Sequence, residues 1–459
     1  EGEAPAEPSG YVVATERDPP EVAYPHLEGR TPLRPPSWSR RSATLQHGHA
    51  EPKAKHLPDS SLTLRRTTVA AVVMSMFHSQ RIRFDRHELA GAFGDIGTDL
   101  PLLVGLIATC GLDATSVLVL FGTMQVLTGL LYGLPMPVQP LKAMAVIMLS
   151  QKLPPELLYG GGLAIGIVML LLTLSGGLDW LAKVVPLSVV RGIQFGLGVS
   201  LCSLALKDYV QSSGATGYLL ASTGFVAFLW LRRYRHIPAA LVLIGIGGVY
   251  AVVFKMDIAQ LSRSLGFSLP RLHIPSQDAI LQGLLVLALP QIPLSLSNSV
   301  VATNQTLRDL FPDRAVSVRR IGITYSLMNL INPLFGGVPT CHGCGGLAGF
   351  YAFGARTGGA PILYGAMYLM LGLFLSKGFQ QAIQVFPMPI LGVVLLFEGL
   401  GLMALLRDRL SQLTDLWLAL LVAMAVVALP YGYVVGIVGG TLLHYAAQRR
   451  WLLLPVSEK

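Results

Sequence analysis

Phe335-Gly-Gly-Val-Pro-Thr-Cys-His-Gly-Cys-Gly-Gly-Leu-Ala-Gly-Phe350 is the stretch whose reading decides the fold. The segments on either side are apolar enough to sit in a bilayer, yet this run is full of glycine and carries a proline and a histidine. A break of this kind at membrane depth is tolerated only where protein or water surrounds it. A second interrupted run, Pro135-Met-Pro-Val-Gln-Pro-Leu-Lys-Ala-Met-Ala145, lies far upstream. Paired breaks in corresponding positions of two halves are the best pointer in a sequence to a transporter's binding site.

Hydrophobic residues make up 52% of the 459 and charged residues 13%, which places the chain among polytopic membrane proteins. After residue 86 we read fourteen membrane segments: 87–109, 114–131, 138–150, 157–175, 187–206, 214–230, 237–254, 278–299, 320–335, 342–353, 360–377, 381–403, 412–428 and 431–448. The net charge is +9, and the 22 Lys and Arg after residue 86 lie almost entirely in the short loops, so they report topology and no nucleic-acid partner is expected. With the N-terminal tail inside, fifteen loop Lys and Arg fall on the cytoplasmic side and six outside. Both termini are therefore expected to be cytoplasmic, and the membrane to be the plasma membrane rather than an internal one.

Residues 1–86 are dominated by Pro, Arg, Glu, Ser and His and cannot bury enough surface to offset ordering entropy. They are expected to form a disordered cytoplasmic tail, with residues 87–459 as the membrane transport domain. His47, His49 and His56 in the tail lack a paired ligand motif for a metal. Seven plus seven segments suggest an inverted repeat, about 87–254 and about 278–448. Pro137-Val-Gln-Pro matches Pro339-Thr-Cys-His at an offset of 202, and Gly196-Leu-Gly198 matches Gly399-Leu-Gly401 at 203.

Two half-helices whose N-termini face each other would present unpaired N–H groups and the positive ends of two helix dipoles, an anion site that needs no lysine. Gly343, Gly345 and Gly346 would let a tetrahedral oxyanion approach the backbone, and Gln139 and Thr340 would add neutral polar contacts. His342 is read as a donor to the oxyanion or a carrier of a coupling proton. The first segment opens Glu88-Leu-Ala-Gly-Ala-Phe-Gly-Asp95-Ile-Gly-Thr98-Asp99-Leu-Pro101. Acids at membrane depth are costly and default to function, which favours Asp95, while Asp99 is left to cap the break before Pro101. Asp95, Thr98, Lys142 and Glu398 are thus read as coupling or cavity residues. Lys142 either counters the charge of the anion or braces Glu398, and both roles stay open. Gln291, Ser295 and Asn298 give the eighth segment a polar face that is either a cavity wall or helix–helix glue. Gln125, Asn329 and Asn332 carry the same ambiguity, with packing the favoured reading. Cys341 and Cys344 have C-x-x-C spacing without a second pair, so no metal site and no cofactor are expected.

Phe-Gly-Asp-Ile-Gly-Thr at 93–98, Met-Pro-Val-Gln-Pro-Leu-Lys-Ala at 136–143, and the runs Pro-Thr-Cys-His-Gly-Cys-Gly-Gly-Leu-Ala-Gly and Tyr-Ala-Phe-Gly-Ala-Arg-Thr-Gly within 339–358 resemble the molybdate transporter family of the sulfate permease superfamily. The resemblance implies an all-α polytopic membrane fold of about fourteen spans in a seven-plus-seven inverted repeat, with half-helices at spans 3 and 10. It also implies a core of spans 1–4 and 8–11 that moves against a gate of spans 5–7 and 12–14. The implied function is secondary active uptake of the molybdate oxyanion, not an enzyme activity. Sulfate or another oxyanion, an anion channel and, remotely, a membrane redox enzyme using Cys341, His342 and Cys344 are the alternatives. Expected partners are molybdate and a lipid bilayer; a coupling proton and a homodimer stay open. Related permeases often carry an acid in the eighth span where this chain has Gln291 and Asn298, so the coupling ion stays open too.

Overall fold

The structure, a computed structural model, describes residues 82–234, 238–255, 265–314 and 316–449. The expected tail lies outside the described residues except for 82–86. In chain order the elements are α1 (Arg86–Ala92), α2 (Ile96–Cys110), α3 (Ala114–Tyr132), β1 (Gln139–Pro140), α4 (Lys142–Gln151), α5 (Pro155–Ser175), α6 (Gly177–Val184), α7 (Leu187–Leu204), α8 (Gly214–Leu231) and α9 (Ala239–Phe254). There follow α10 (Gln277–Leu310), α11 (Val318–Ile331), β2 (Thr340–Cys341), α12 (Cys344–Ala352), α13 (Gly359–Phe374), α14 (Ser376–Val385), α15 (Met388–Ala404), α16 (Leu413–Ala428) and α17 (Gly432–Gln448).

Local chemistry sets many of these boundaries. Asp85 accepts from the N–H groups of His87 and Glu88 at the start of α1, and Asp113 accepts from Ser116 N at the start of α3. Gly111 and Gly133 close α2 and α3 in the left-handed region, at φ 72 and 59. Pro290 and Pro293 each remove a donor inside α10, which continues through wide π-helical turns at Leu284–Ala288 and Ser295–Ala302. The helix therefore runs eleven residues past the expected end at 299, to Leu310.

Among the described residues, five helical runs are long and apolar enough to cross a membrane: α3, α5, Leu187–Leu231, α10 and Met388–Arg409. The bent pairs α1–α2, at 44°, and α13–α14, at 94°, raise this to seven. The fourteen segments expected from hydropathy are thus not fourteen full-length helices. Segments 3 and 10 shrink to 10 and 9 helical residues in α4 and α12, because each begins with non-helical backbone. The expected segment 381–403 divides at Phe386-Pro387 into the polar α14 and the apolar α15.

The helices pack in neighbouring sets: α3 against α13, α5 against α10 and α11, and α7 against α15 and α16. Small residues allow the closest crossing. A Cβ on Gly122 would stand 2.6 Å from Gly365 O, and one on Gly365 would stand 2.5 Å from Gly122 O. At one end of this pair the buried Glu88 carboxylate accepts from Arg356 N and Thr357 N, both at 2.9 Å, and from Ala360 N at 3.0 Å. It satisfies the start of α13 from 268 to 272 residues away in sequence. Glu88→Ala would strand three N–H groups and is expected to cost about 3 kcal/mol of stability. A lowered thermal midpoint of the detergent-solubilised protein checks this; an unchanged midpoint would mean that these groups find other partners.

Candidate functional site

The two sequence breaks meet. Gln139 pairs with Cys341 and Pro140 with Thr340 in an antiparallel ladder, extended by Leu141 N donating to Pro339 O at 3.0 Å. Because the strands run in opposite directions, α4 and α12 begin near one point and leave it oppositely. Neighbouring side chains hold the ladder. Gln125 Nε2 donates to Val138 O at 2.8 Å, and Asn329 both donates to Thr340 O and accepts from Thr340 N. Asn332 Nδ2 donates to Val338 O and Thr340 Oγ1, both at 3.1 Å. These three polar residues are scaffold, and so is Thr340, whose side chain is fully buried among them.

His342 is also turned away from solvent. Its Nδ1 lies 2.9 Å from Pro137 O, which can only accept, so Nδ1 carries the proton and Nε2 accepts from Thr324 Oγ1 at 2.8 Å. Tyr132 meets the ring edge-on at 5.5 Å. Both nitrogens are occupied, which corrects the reading of His342 as a donor to the anion: here it ties β2 to the Pro137 turn and to α11.

A cavity of about 310 Å³ opens beside the ladder. Of the expected residues, Asp95, Thr98, Lys142, Gln291, Asn298, Gly345 and Glu398 line it, whereas Gln139, Thr340, His342, Gly343 and Gly346 stand behind its wall. The two helix starts are not equivalent. Gln291 Oε1 accepts from Ala143 N at 2.8 Å and Met144 N at 3.4 Å, so the first turn of α4 is already capped by a side chain of α10. Gln291 Nε2 is in turn fixed by Ser295 Oγ at 2.9 Å. At α12 the first-turn residues Cys344 and Gly345 border the cavity directly. What α4 offers the cavity is a formal charge, the Lys142 ammonium.

Behind α12 sits a buried acid. Gln139 Nε2 donates to both oxygens of Asp95, at 2.7 and 2.8 Å. A Cβ on Gly346 would collide with Asp95 Oδ2, and one on Gly343 with Gln139 Oε1. The carboxylate thus lies against the first turn of α12, where the helix dipole favours negative charge. Lys142 Nζ is 3.9 Å from Glu398 Oε2, a loose pair, while Thr98 Oγ1 donates to Glu398 Oε1 at 3.2 Å. Asn298 Oδ1 accepts from the Cys344 thiol at 3.0 Å, which leaves its amide nitrogen as the remaining donor.

Sequence reasoning passes over Gln194, which lines the cavity from α7 and accepts from Arg191 Nη1 at 2.8 Å. A lone glutamine in the apolar run of α7 is the available signal. A larger space of about 590 Å³, bounded by Arg232 and Tyr234, shares Gly94, Phe397, Glu398 and Gly401 with the site. Another of about 420 Å³ reaches Arg191 and shares Gln194, Asn298, Cys344 and Leu405. A fourth, about 410 Å³ beside Tyr431 and Gln151, shares no lining residue with the site.

The family profile described as "Molybdate transporter of MFS superfamily" matches residues 87–201 and 283–402, and each block contains one ladder strand or its half-helix. Molybdate transporter 2 of Arabidopsis thaliana is 33% identical over 374 residues, covering 71% of this chain and 80% of that protein. Molybdate transporter 1 of Chlamydomonas reinhardtii is 28% identical over 470 residues, covering 77% of this chain and 90% of that protein. Among solved structures, the transmembrane domain of the cyanobacterial bicarbonate transporter BicA aligns with a TM-score of 0.57 at 14% identity, over 78% of this chain and 98% of that one. The murine anion transporter Slc26a9 in its inward-facing state aligns with a TM-score of 0.61 at 13% identity, over 85% of this chain and 74% of that one. The fold is therefore the helical membrane-transporter fold of these two proteins. On the profile and the Arabidopsis relative, the chain belongs to the molybdate transporter family.

Proposed function

We propose that the chain carries molybdate across a membrane by alternating access, holding the dianion in the 310 Å³ cavity. The observation that carries this reading is the meeting of the first turn of α12 with the Lys142 ammonium in one space. Backbone amides and the positive end of α12 attract an anion without a formal charge, and Lys142 supplies one. Its loose link to Glu398 leaves ammonium donors for an oxyanion. Thr98, Gln194, Gln291 and Asn298 surround the space with neutral dipoles. The named activity of the Arabidopsis and Chlamydomonas relatives supplies the substrate.

The membrane plan we infer is fourteen crossings in two inverted sevens. Three observations support it. The ladder register joins Gln139 to Cys341, and 341 − 139 is the repeat offset of 202. The two Gly-Leu-Gly landmarks touch, since a Cβ on Gly198 would stand 2.6 Å from Gly399 O. The short helices α6 and α14 follow α5 and α13 at matching places. The core is then α1–α5 with α10–α13, the gate α7–α9 with α15–α17, and the Thr98–Glu398 and Lys142–Glu398 contacts span the two. Loop charge orients both termini to the cytoplasm, and we place the chain at the plasma membrane. The Arg191 and Arg232 spaces then open inward, while the separate space at Tyr431 lies outside, an arrangement that favours alternation over a continuous pore.

Purified protein in liposomes is expected to give saturable uptake and counterflow of labelled molybdate. Sulfate is expected to compete at least about tenfold less well, a discrimination of about 1.4 kcal/mol. Equal inhibition at equal concentration would remove the selectivity and leave a general oxyanion carrier.

A further inference from the structure

Asp99, expected from its place before Pro101 to cap a break, lies instead in the first turn of α2. It is fully buried, and neither carboxyl oxygen makes a hydrogen bond of ordinary length among the described residues, the Tyr364 hydroxyl being the one donor directed at it. It does not line the cavity. Its N–H donates to Asp95 O at 3.2 Å, so it stands one helical turn, about 5.4 Å, beyond the carboxylate that touches both the cavity and α12.

We propose that Asp99 is the binding site of a proton that moves with the anion, a second site behind the cavity. This rests on the transport reading above. The groups facing Asp99 are Asp95 on its own helix, Lys142 at the start of α4, Glu398 on α15, Cys341 on β2, and Tyr364 and Tyr368 on α13. The two tyrosine hydroxyls are 3.0 Å apart and lean on each other. The one cation in the set, Lys142, is directed to Glu398 and the cavity. A carboxylate faced by a single tyrosine hydroxyl in an apolar interior is far costlier than that contact and the helix-dipole gain of an acid in a first turn can offset. Asp99 is therefore neutral here, and a purely structural role leaves its orphan oxygens unexplained. Among the described residues no group of three His, Cys, Asp or Glu could hold a metal ion. A proton needs only the carboxyl.

The sign of the coupling follows from charge. A dianion beside Lys142 adds negative potential at Asp99 and favours its protonated form, and by linkage the proton strengthens binding of the anion. When the anion leaves, the Asp99 side chain turns toward Asp95, one helical turn away, and its proton passes by that carboxyl to water in the cavity. The Asp99 carboxylate, costly in the apolar interior, persists only in the turned position beside Asp95 and the cavity until it is reprotonated.

The test uses the full chain in liposomes with labelled molybdate. For wild type, an inward proton gradient is expected to raise uptake, with alkalinisation of the medium. Asp99→Asn is expected to lose at least about tenfold of the gradient-driven accumulation and the alkalinisation, while counterflow at equal pH stays within about threefold. Full gradient response in Asp99→Asn, or a sodium gradient that replaces the proton gradient in wild type, would overturn the proton site. Wild-type protein without counterflow would overturn the transport reading and the proton site with it. Wild-type counterflow without proton movement would overturn the proton site alone. If Asp99→Asn does not fold, Tyr368→Phe decides: a shift in the pH of half-maximal uptake supports the site, and an unmoved profile overturns it.

Discussion

Gly346→Ala is expected to lower molybdate transport by at least about 100-fold while the protein still folds. Alanine is the better helix former by about 1 kcal/mol, so the first turn of α12 itself gains. The loss comes from what the methyl meets. It would overlap Asp95 Oδ2 and stand 2.8 Å from Asp95 Cγ and 2.9 Å from Gln139 Nε2. The paired carboxylate and carboxamide must then leave α12, and displacement of a positioned group by about 1 Å can cost 100-fold. Gly345→Ala is the control, because nothing lies within 4 Å of its Cβ and the methyl enters open cavity. It should fold and transport with a several-fold weaker apparent affinity. Uptake by Gly346→Ala within about threefold of wild type would show that Asp95 and Gln139 have no required place against α12.

Lys142→Gln is expected to weaken apparent affinity for molybdate by at least about 30-fold, the low end of the 2–5 kcal/mol lost when one member of a desolvated charge pair is truncated. Among the described residues Lys142 is the only basic one lining the cavity, against two acids, Asp95 and Glu398. Lys142→Arg should keep most of the affinity, because the charge is retained even though the point ammonium becomes a fork. The double replacement with Glu398→Gln separates the two roles left open by sequence. If Lys142 mainly braces Glu398, removing both restores binding; if it meets the anion, the double variant stays weak. Restoration to within about threefold would assign the brace and take Lys142 out of the binding site.

Legibility in the sequence differs from residue to residue. The breaks at 135–145 and 335–350 are readable because glycine and proline act on their own backbone, and the offset of 202 between them sets Gln139 opposite Cys341, the register of the ladder. The apolar runs and loop charges are readable for the same reason: lipid and charge act on each segment separately. The non-equivalence of the two helix starts is not readable. It depends on Gln291, which reaches across 148 residues to cap α4. His342 looks like a ligand because histidine titrates near neutrality, yet its direction is set by Pro137 and Thr324. Asp99 looks like a cap because it precedes Pro101, and only the packing of α13 reveals a carboxyl sealed in without a hydrogen bond of ordinary length.

By itself, then, the sequence determined that the chain lies in a membrane and that its apolar segments are broken at 135–145 and 335–350. Each follows from interactions within about a turn of helix or from the thickness of the bilayer. Which side chains share the cavity was decided by the tertiary structure alone. Thr98 and Glu398 meet across 300 residues, and whether a polar residue faces water, a carbonyl or another helix depends on how each helix is rotated against its neighbours. In a chain this apolar, hydropathy is nearly the same all round most helices, so it carries too little information to fix that rotation.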